Sequence, residues 1–337
     1  MYCLECLKKL MDIKMSTFRI GFVGECMIEL HETQECIKKG FGGDTVNTAI
    51  YLSRLQQLAG EGLPRVSATY LSAMGTDSQS SHVLSCIAKE GVDTRGISRI
   101  DGKLPGLYLI ENDASGERRF HYWRNDAAAR FWTQGFDDAA LFELLASFDM
   151  IYLSGISLAI QFAGERERLL SALQRYQANG GNVVFDSNYR PRLWENEAQA
   201  RDAYAMALSV SSLALLTFDD EALLFGDKHP IETVERVNAL GCSQVVVKCG
   251  AEDCLVATKQ NVVRVPATKV DCVVDTTSAG DAFNAGYLLG TVAGASNVQC
   301  AAMGHLLASH VIQAKGAVIP HECMPTAQQI QSLLFTS

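Results

Sequence analysis

Short β-forming apolar runs alternate with stretches of helical period along nearly the whole chain. Residues 18–23 read as a strand, and 45–58 as an amphipathic helix with Val46, Ala49, Ile50 and Leu55 apolar. A strand over 66–71 follows, then a helix around 81–89 that stops at Gly91. Residues 150–153, 183–185, 213–216 and 245–248 are further brief runs, separated by helical segments such as 165–177 and 198–208. This rhythm predicts crossover units feeding a mostly parallel, doubly wound sheet with helices on both faces, an α/β fold.

One region breaks the pattern. Residues 104–124 read as strand, turn, strand, with Asn112-Asp113-Ala114-Ser115-Gly116 as the loop. A hairpin inserted in a doubly wound fold can project as a small lid, and part of 27–42 is expected to join it. No linker or repeat divides the chain, so 15–330 is read as one domain behind an N-terminal extension, 1–14. In that extension Lys8 and Lys9 stand where the apolar stretch of a signal peptide would lie. The expected location is therefore cytoplasmic, with Met15 an alternative start.

Composition narrows the partners. The net charge of −9 speaks against nucleic acid or an anionic membrane, which need a basic footprint. It leaves room for a small anionic substrate. No apolar run approaches the roughly 18 residues of a membrane span. Eleven cysteines are scattered among apolar runs and read as free thiols. Cys3 and Cys6 spell C-x-x-C without a second pair, and the seven histidines lack ligand spacing, so no zinc site is expected. The sequence admits a homo-oligomer without specifying one.

Val274-Asp275-Thr276-Thr277-Ser278-Ala279-Gly280-Asp281-Ala282-Phe283 is the most informative stretch. A glycine turn opening a helix presents free amides and the positive end of the dipole, a ready site for phosphate. Asp281 there is either a base for a substrate hydroxyl or the third position of a capping box begun by Ser278. Gly42 and Gly43 precede the 45–58 helix, and Asn47 sits about one turn into it; a ligand site and a simple cap by Asp44 or Thr45 both fit. Alternation puts Phe120, Tyr122 and Arg124 on one face of the second lid strand, and Tyr108 of the first strand could face the same space. These could line a pocket for a hydroxylated carboxylate or form a plain aromatic ladder. Asn188, Arg190 and Arg192 follow a buried strand, at the carboxyl end where ligands of open α/β sheets sit, and Lys248 with Gly250 ends another. The arginines read equally as a phosphate clamp or as surface ion pairs.

Together these segments resemble the ribokinase-type (PfkB) carbohydrate kinases over 18–322. Gly42-Gly43 with Asn47, the D-T-T-x-A-G-D run ending at Asp281, and the stretches 104–108, 122–125, 153–156 and 188–194 carry the resemblance. Within that family it is strongest to members acting on 2-dehydro-3-deoxygluconate. The resemblance implies a ribokinase-like fold and transfer of phosphate from ATP, with Mg²⁺, to the primary hydroxyl of that sugar acid. By the same resemblance Asp281 is the base and the Ala279 and Gly280 amides the anion hole. Gly42, Gly43, Asn47, Tyr108, Tyr122 and Arg124 would bind the sugar acid, with Arg124 at its carboxylate. Asn188, Arg190, Lys248 and Gly250 would line the nucleotide, with Arg190 also serving transfer. Where the family has N-x-x-E for Mg²⁺, only Glu221 matches. Serine at 278 replaces a common glycine, so the turn is expected to avoid backbone shapes reserved for glycine. A kinase for a neutral sugar or nucleoside, and a non-catalytic sugar-acid sensor, are the alternatives.

Overall fold

The computed structural model describes residues 17–32, 36–60, 62–112 and 118–334. The N-terminal extension, the C-x-x-C and most of the 112–116 loop lie outside these. Among the described residues thirteen strands form two sheets: β1 Phe18–Val23, β2 Met27–Glu32, β3 Ile37–Gly42, β4 Val66–Gly75, β5 Ile97–Ile100, β6 Leu107–Asn112, β7 Arg118–Trp123, β8 Met150–Ser154, β9 Asn182–Asp186, β10 Leu213–Thr217, β11 Gln244–Lys248, β12 Cys254–Thr258 and β13 Val262–Val265. The main sheet runs β13-β12-β11-β10-β9-β8-β1-β4-β5. It is parallel from β5 to β11, with β12 and β13 added antiparallel.

Strand alternation explains why this sheet needs a layer on each face. Leu213 and Leu215 of β10 join the core under helices Asp44–Ala59, Ala279–Val292 and Asn297–Val311. Ala214 and Leu216, one residue out of step, join the opposite core under Asp138–Ala146, Ala163–Ala178 and Glu197–Val210. Each fully buried Leu or Val contributes about 1.5–3 kcal/mol. The hydrophobic runs were therefore legible as strands to within a few residues. The β12–β13 hairpin was not expected: Val262 is exposed and the strand short, so it carries little apolar signal.

The 104–124 hairpin pairs with β2 and β3 in a second sheet, ordered β3-β2-β6-β7. Here β2 runs parallel to β6, and β6 antiparallel to β7 with Tyr108 opposite Tyr122. The nine described cysteines are all free thiols. Among the described residues no helix is long and apolar enough to cross a membrane.

Candidate active site

The chain leaves β1 for β4 on one side and returns through β8 on the other, so the crossovers diverge between β1 and β8. Crevices at such switch points, beyond the carboxyl ends of the strands, are where open α/β sheets bind ligands. A cavity of about 1150 Å³ lies there. Its walls come from the strand ends at Asp186, Thr217 and Lys248, from the first residues of helices Asp44–Ala59 and Ala279–Val292, and from β6 and β7 of the small sheet.

Asp281 sits in the first turn of its helix, facing this cavity and buried. Ser278 Oγ donates to its Oδ2 (2.6 Å) and Asn47 Nδ2 donates to the same oxygen (2.9 Å). Asn47 Nδ2 also lies 2.7 Å from Ser278 Oγ, closing a triangle. Ser278 makes no side-chain cap bond, so the capping-box reading fails: its hydroxyl is spent on the carboxylate. The backbone expectation fails too. Ser278 has φ 64°, the left-handed region that favours glycine, at a strain of roughly 1 kcal/mol. The hydrogen bonds that hold Asp281 hold this turn as well. Burial above all, and then the Asp44 carboxylate, push Asp281 up to about 7 against the opposing bonds from Ser278 and Asn47.

The expected anion hole shrinks by one donor. The Ala279 amide donates to Thr276 O (3.2 Å), a consequence of the left-handed turn, and the first helical bond is Ala282 N to Ser278 O. Gly280 is left as a first-turn amide with no intrahelical acceptor. Lys248 stands before it: a Cβ on Gly280 would lie 3.7 Å from Nζ.

The two glycines have separate reasons. A Cβ on Gly43 would lie 2.1 Å from the Glu25 carbonyl oxygen, so only glycine fits where the Asp44 helix approaches the end of β1. Gly43 lines the cavity. Gly42 does not, and is packed instead against the Tyr108 hydroxyl. Asp44, read above only as a cap, proves to be a site residue. It lines the cavity and accepts from Asn188 Nδ2 (2.7 Å), and burial raises its pKa. Asn188 itself has φ 32°. Asn47 Oδ1 is a buried acceptor with no partner among the described residues.

Tyr108, Phe120 and Tyr122 face the cavity as a ladder with Tyr108–Tyr122 centroids 5.9 Å apart. Arg124 continues the row, its guanidinium 5.9 Å from the Tyr122 ring. It is buried and ion-paired with Glu25, which is 1% exposed. Glu25 was missed in the sequence, where a single acid after β1 carries no periodic signal. Burial raises its carboxyl despite the arginine beside it.

At the other end, Arg190 and Arg192 line the cavity, with Arg190 3.6 Å from Asp220. Lys248 and Asn188 line it too, whereas Gly250 does not. Glu221 also falls outside it. Fully buried, it accepts from Arg236 (2.7 Å), and burial pushes it to about 7. The acid that reaches the cavity is Asp220, one residue earlier in the helix that opens at Phe218. The metal role expected of Glu221 therefore finds no geometric footing.

Residues 11–324 match the model of the pfkB family carbohydrate kinases, and the chain belongs to that family. It is 50% identical over 314 residues to the 2-dehydro-3-deoxygluconokinase of Dickeya dadantii (strain 3937), covering 92% of this chain and 100% of that one. The enzyme of the same name from Escherichia coli (strain K12) is 47% identical over 310 residues, with 91% and 99% covered. A crystal structure of fructokinase with bound ATP from Xylella fastidiosa shares the fold, with a TM-score of 0.74 at 23% identity over 94% of this chain and 98% of that one.

Proposed function

We propose that this chain is an ATP-dependent sugar-acid kinase that converts 2-dehydro-3-deoxy-D-gluconate to its 6-phosphate. The observation that carries the reaction type is Asp281: a buried carboxylate with a raised pKa, at a helix N-terminus, beside a lysine and facing a large cavity. Relatives of nearly full length at 47–50% identity support the substrate. The primary hydroxyl gives its proton to Asp281 as its oxygen attacks the γ-phosphorus. The bond to the β-γ bridging oxygen breaks, and ADP leaves.

The protein's part is positioning and charge neutralisation. Gly43, Asp44, Asn47, Tyr108, Tyr122 and Arg124 hold the sugar acid, with Arg124 toward its carboxylate and Asn47 Oδ1 left for a hydroxyl. The Gly280 amide, Lys248 and Arg190 meet the phosphates. Mg²⁺ suits this donor set: Asp220 presents one cavity-facing carboxylate, and this ion is commonly held by one or two carboxylates, waters and substrate phosphates. When bound, it neutralises β- and γ-oxygen charge. Closure of the small sheet over the sugar would exclude water.

A coupled assay of ADP release over a panel of sugar acids, neutral sugars and nucleosides tests the assignment. Turnover confined to neutral substrates would overturn the sugar acid, and none at all would favour a sensor. The base has its own signature. Since it works ionised, kcat/KM is expected to fall as pH drops through about 7. Asp44 is among the groups holding that pKa up, so Asp44→Asn should move the limb to lower pH. A limb that stays in place would remove Asp281 as its source.

A further inference from the structure

Beneath the phosphate end of the cavity, four polar side chains close a ring of hydrogen bonds. Lys248 Nζ donates to Asp186 Oδ1 (3.2 Å) and to Asn284 Oδ1 (2.9 Å). Asn284 Nδ2 donates to the Tyr152 hydroxyl (2.8 Å), which in turn donates to Asp186 Oδ2 (3.4 Å). Tyr152 and Asn284 are wholly buried.

Asn284 is the unexpected member. It lies in the buried interior of helix Ala279–Val292, one turn after Asp281. Asparagine is a poor helix former, and burying its amide is unfavourable unless both ends are bonded. Leucine would fill similar space without either burden. Because lysine only donates, the amide oxygen must face the ammonium and the nitrogen must face the phenol. The ring therefore has one polarity. It takes two of the three ammonium N–H groups, while Lys248 still lines the cavity beside Gly280.

We propose that Asn284 is a positioning residue for phosphoryl transfer, a role that rests on the kinase reading above. Its amide oxygen shares the Lys248 ammonium with Asp186, fixing it so that the remaining N–H faces the transferring group. Without that oxygen, Asp186 is the one partner left in the ring, and the flexible lysine stem lets the ammonium shift further onto that carboxylate, away from the Gly280 amide. Nothing is lost at the sugar end, which Asn284 does not touch.

A double-mutant cycle tests this, using Asn284→Leu, Lys248→Met and the pair, with kcat, both KM values and Tm measured on each. Asn284→Leu is expected to lower kcat roughly a hundredfold, the loss typical of a misplaced catalytic group, and to leave KM for the sugar acid within about twofold. In the Lys248→Met background the same change should alter kcat less than about twofold, because the group it positions is gone. Asn284→Thr, whose hydroxyl can accept from the ammonium and donate to the phenol, should recover part of the loss. If Asn284→Leu fails to fold, Asn284→Ala completes the same cycle. Additive losses, or a fall in Tm with kcat unchanged, would overturn the proposal. Failure of the kinase reading looks different: the unmodified chain would then release no ADP.

Discussion

Replacing Asp281 by Asn is expected to lower kcat about a thousandfold, within the 10²–10⁴ that a positioned general base supplies, while making the protein more stable at pH 8. Asn keeps an acceptor for Ser278 and Asn47 but cannot take a proton from the substrate. The stability gain follows from linkage. The folded carboxyl titrates near 7 and the unfolded one near 3.9. Below the unfolded value both states are protonated and ionisation costs nothing. As pH rises, the unfolded state ionises first, and above about 7 the folded state must hold a buried charge. The full penalty is at most roughly 4 kcal/mol. Melting temperatures at pH 8 and pH 5 check this: Asp281→Asn should melt higher at pH 8, with the gap narrowing at pH 5. Near-normal turnover would end the base assignment, and a pH-independent gap would end the account of its strain.

The second large effect is at Arg124, and the structure changes which variant is informative. Arg124→Met alone strands Glu25, a carboxylate 1% exposed and already raised by burial. Breaking a buried pair by removing one partner typically costs about 3–5 kcal/mol, so poor folding would obscure the kinetics. Pairing it with Glu25→Gln removes both charges. The double variant should recover most of the lost Tm and still show KM for the sugar acid raised about 10–150-fold, the equivalent of the 1.5–3 kcal/mol of a charged hydrogen bond. KM for ATP should stay within about twofold. Equal increases in both would sink the carboxylate role of Arg124.

Much of the scaffold could be read from the chain because buried parallel strands must be apolar on both faces, as Leu213–Thr217 is. The cavity-lining residues of the candidate site were legible where composition is odd for its element: Gly43 before a helix, Asn47 inside one, Asp281 in the first turn of another. What escaped were properties created by contact. Ser278 adopts a glycine-like turn while its hydroxyl is bonded by Asn47, distant in sequence. Glu25 is one acid among many until Arg124 covers it. Asn284 is a single amide within an apolar helix, and only the contacts of Lys248 and Tyr152 with its two ends single it out. Glu221 shows the converse: a motif position carried over by likeness, whose side chain turns to Arg236.

The contact between Asn47 and Asp281 spans 234 residues, and that separation has a consequence on the ribosome. At about 5–20 residues per second, the segment bearing Asn47 emerges roughly 12–47 s before the helix that carries Asp281. During that interval Ala279–Val292, which packs on the Asp44 helix, is missing. The growing chain therefore has neither a finished core on that face nor the Asp281 carboxylate proposed above as the base. On the proposed role of Asp281, activity is expected only late in synthesis, and a product lacking the last sixty or so residues is expected to be inert rather than a leaky hydrolase.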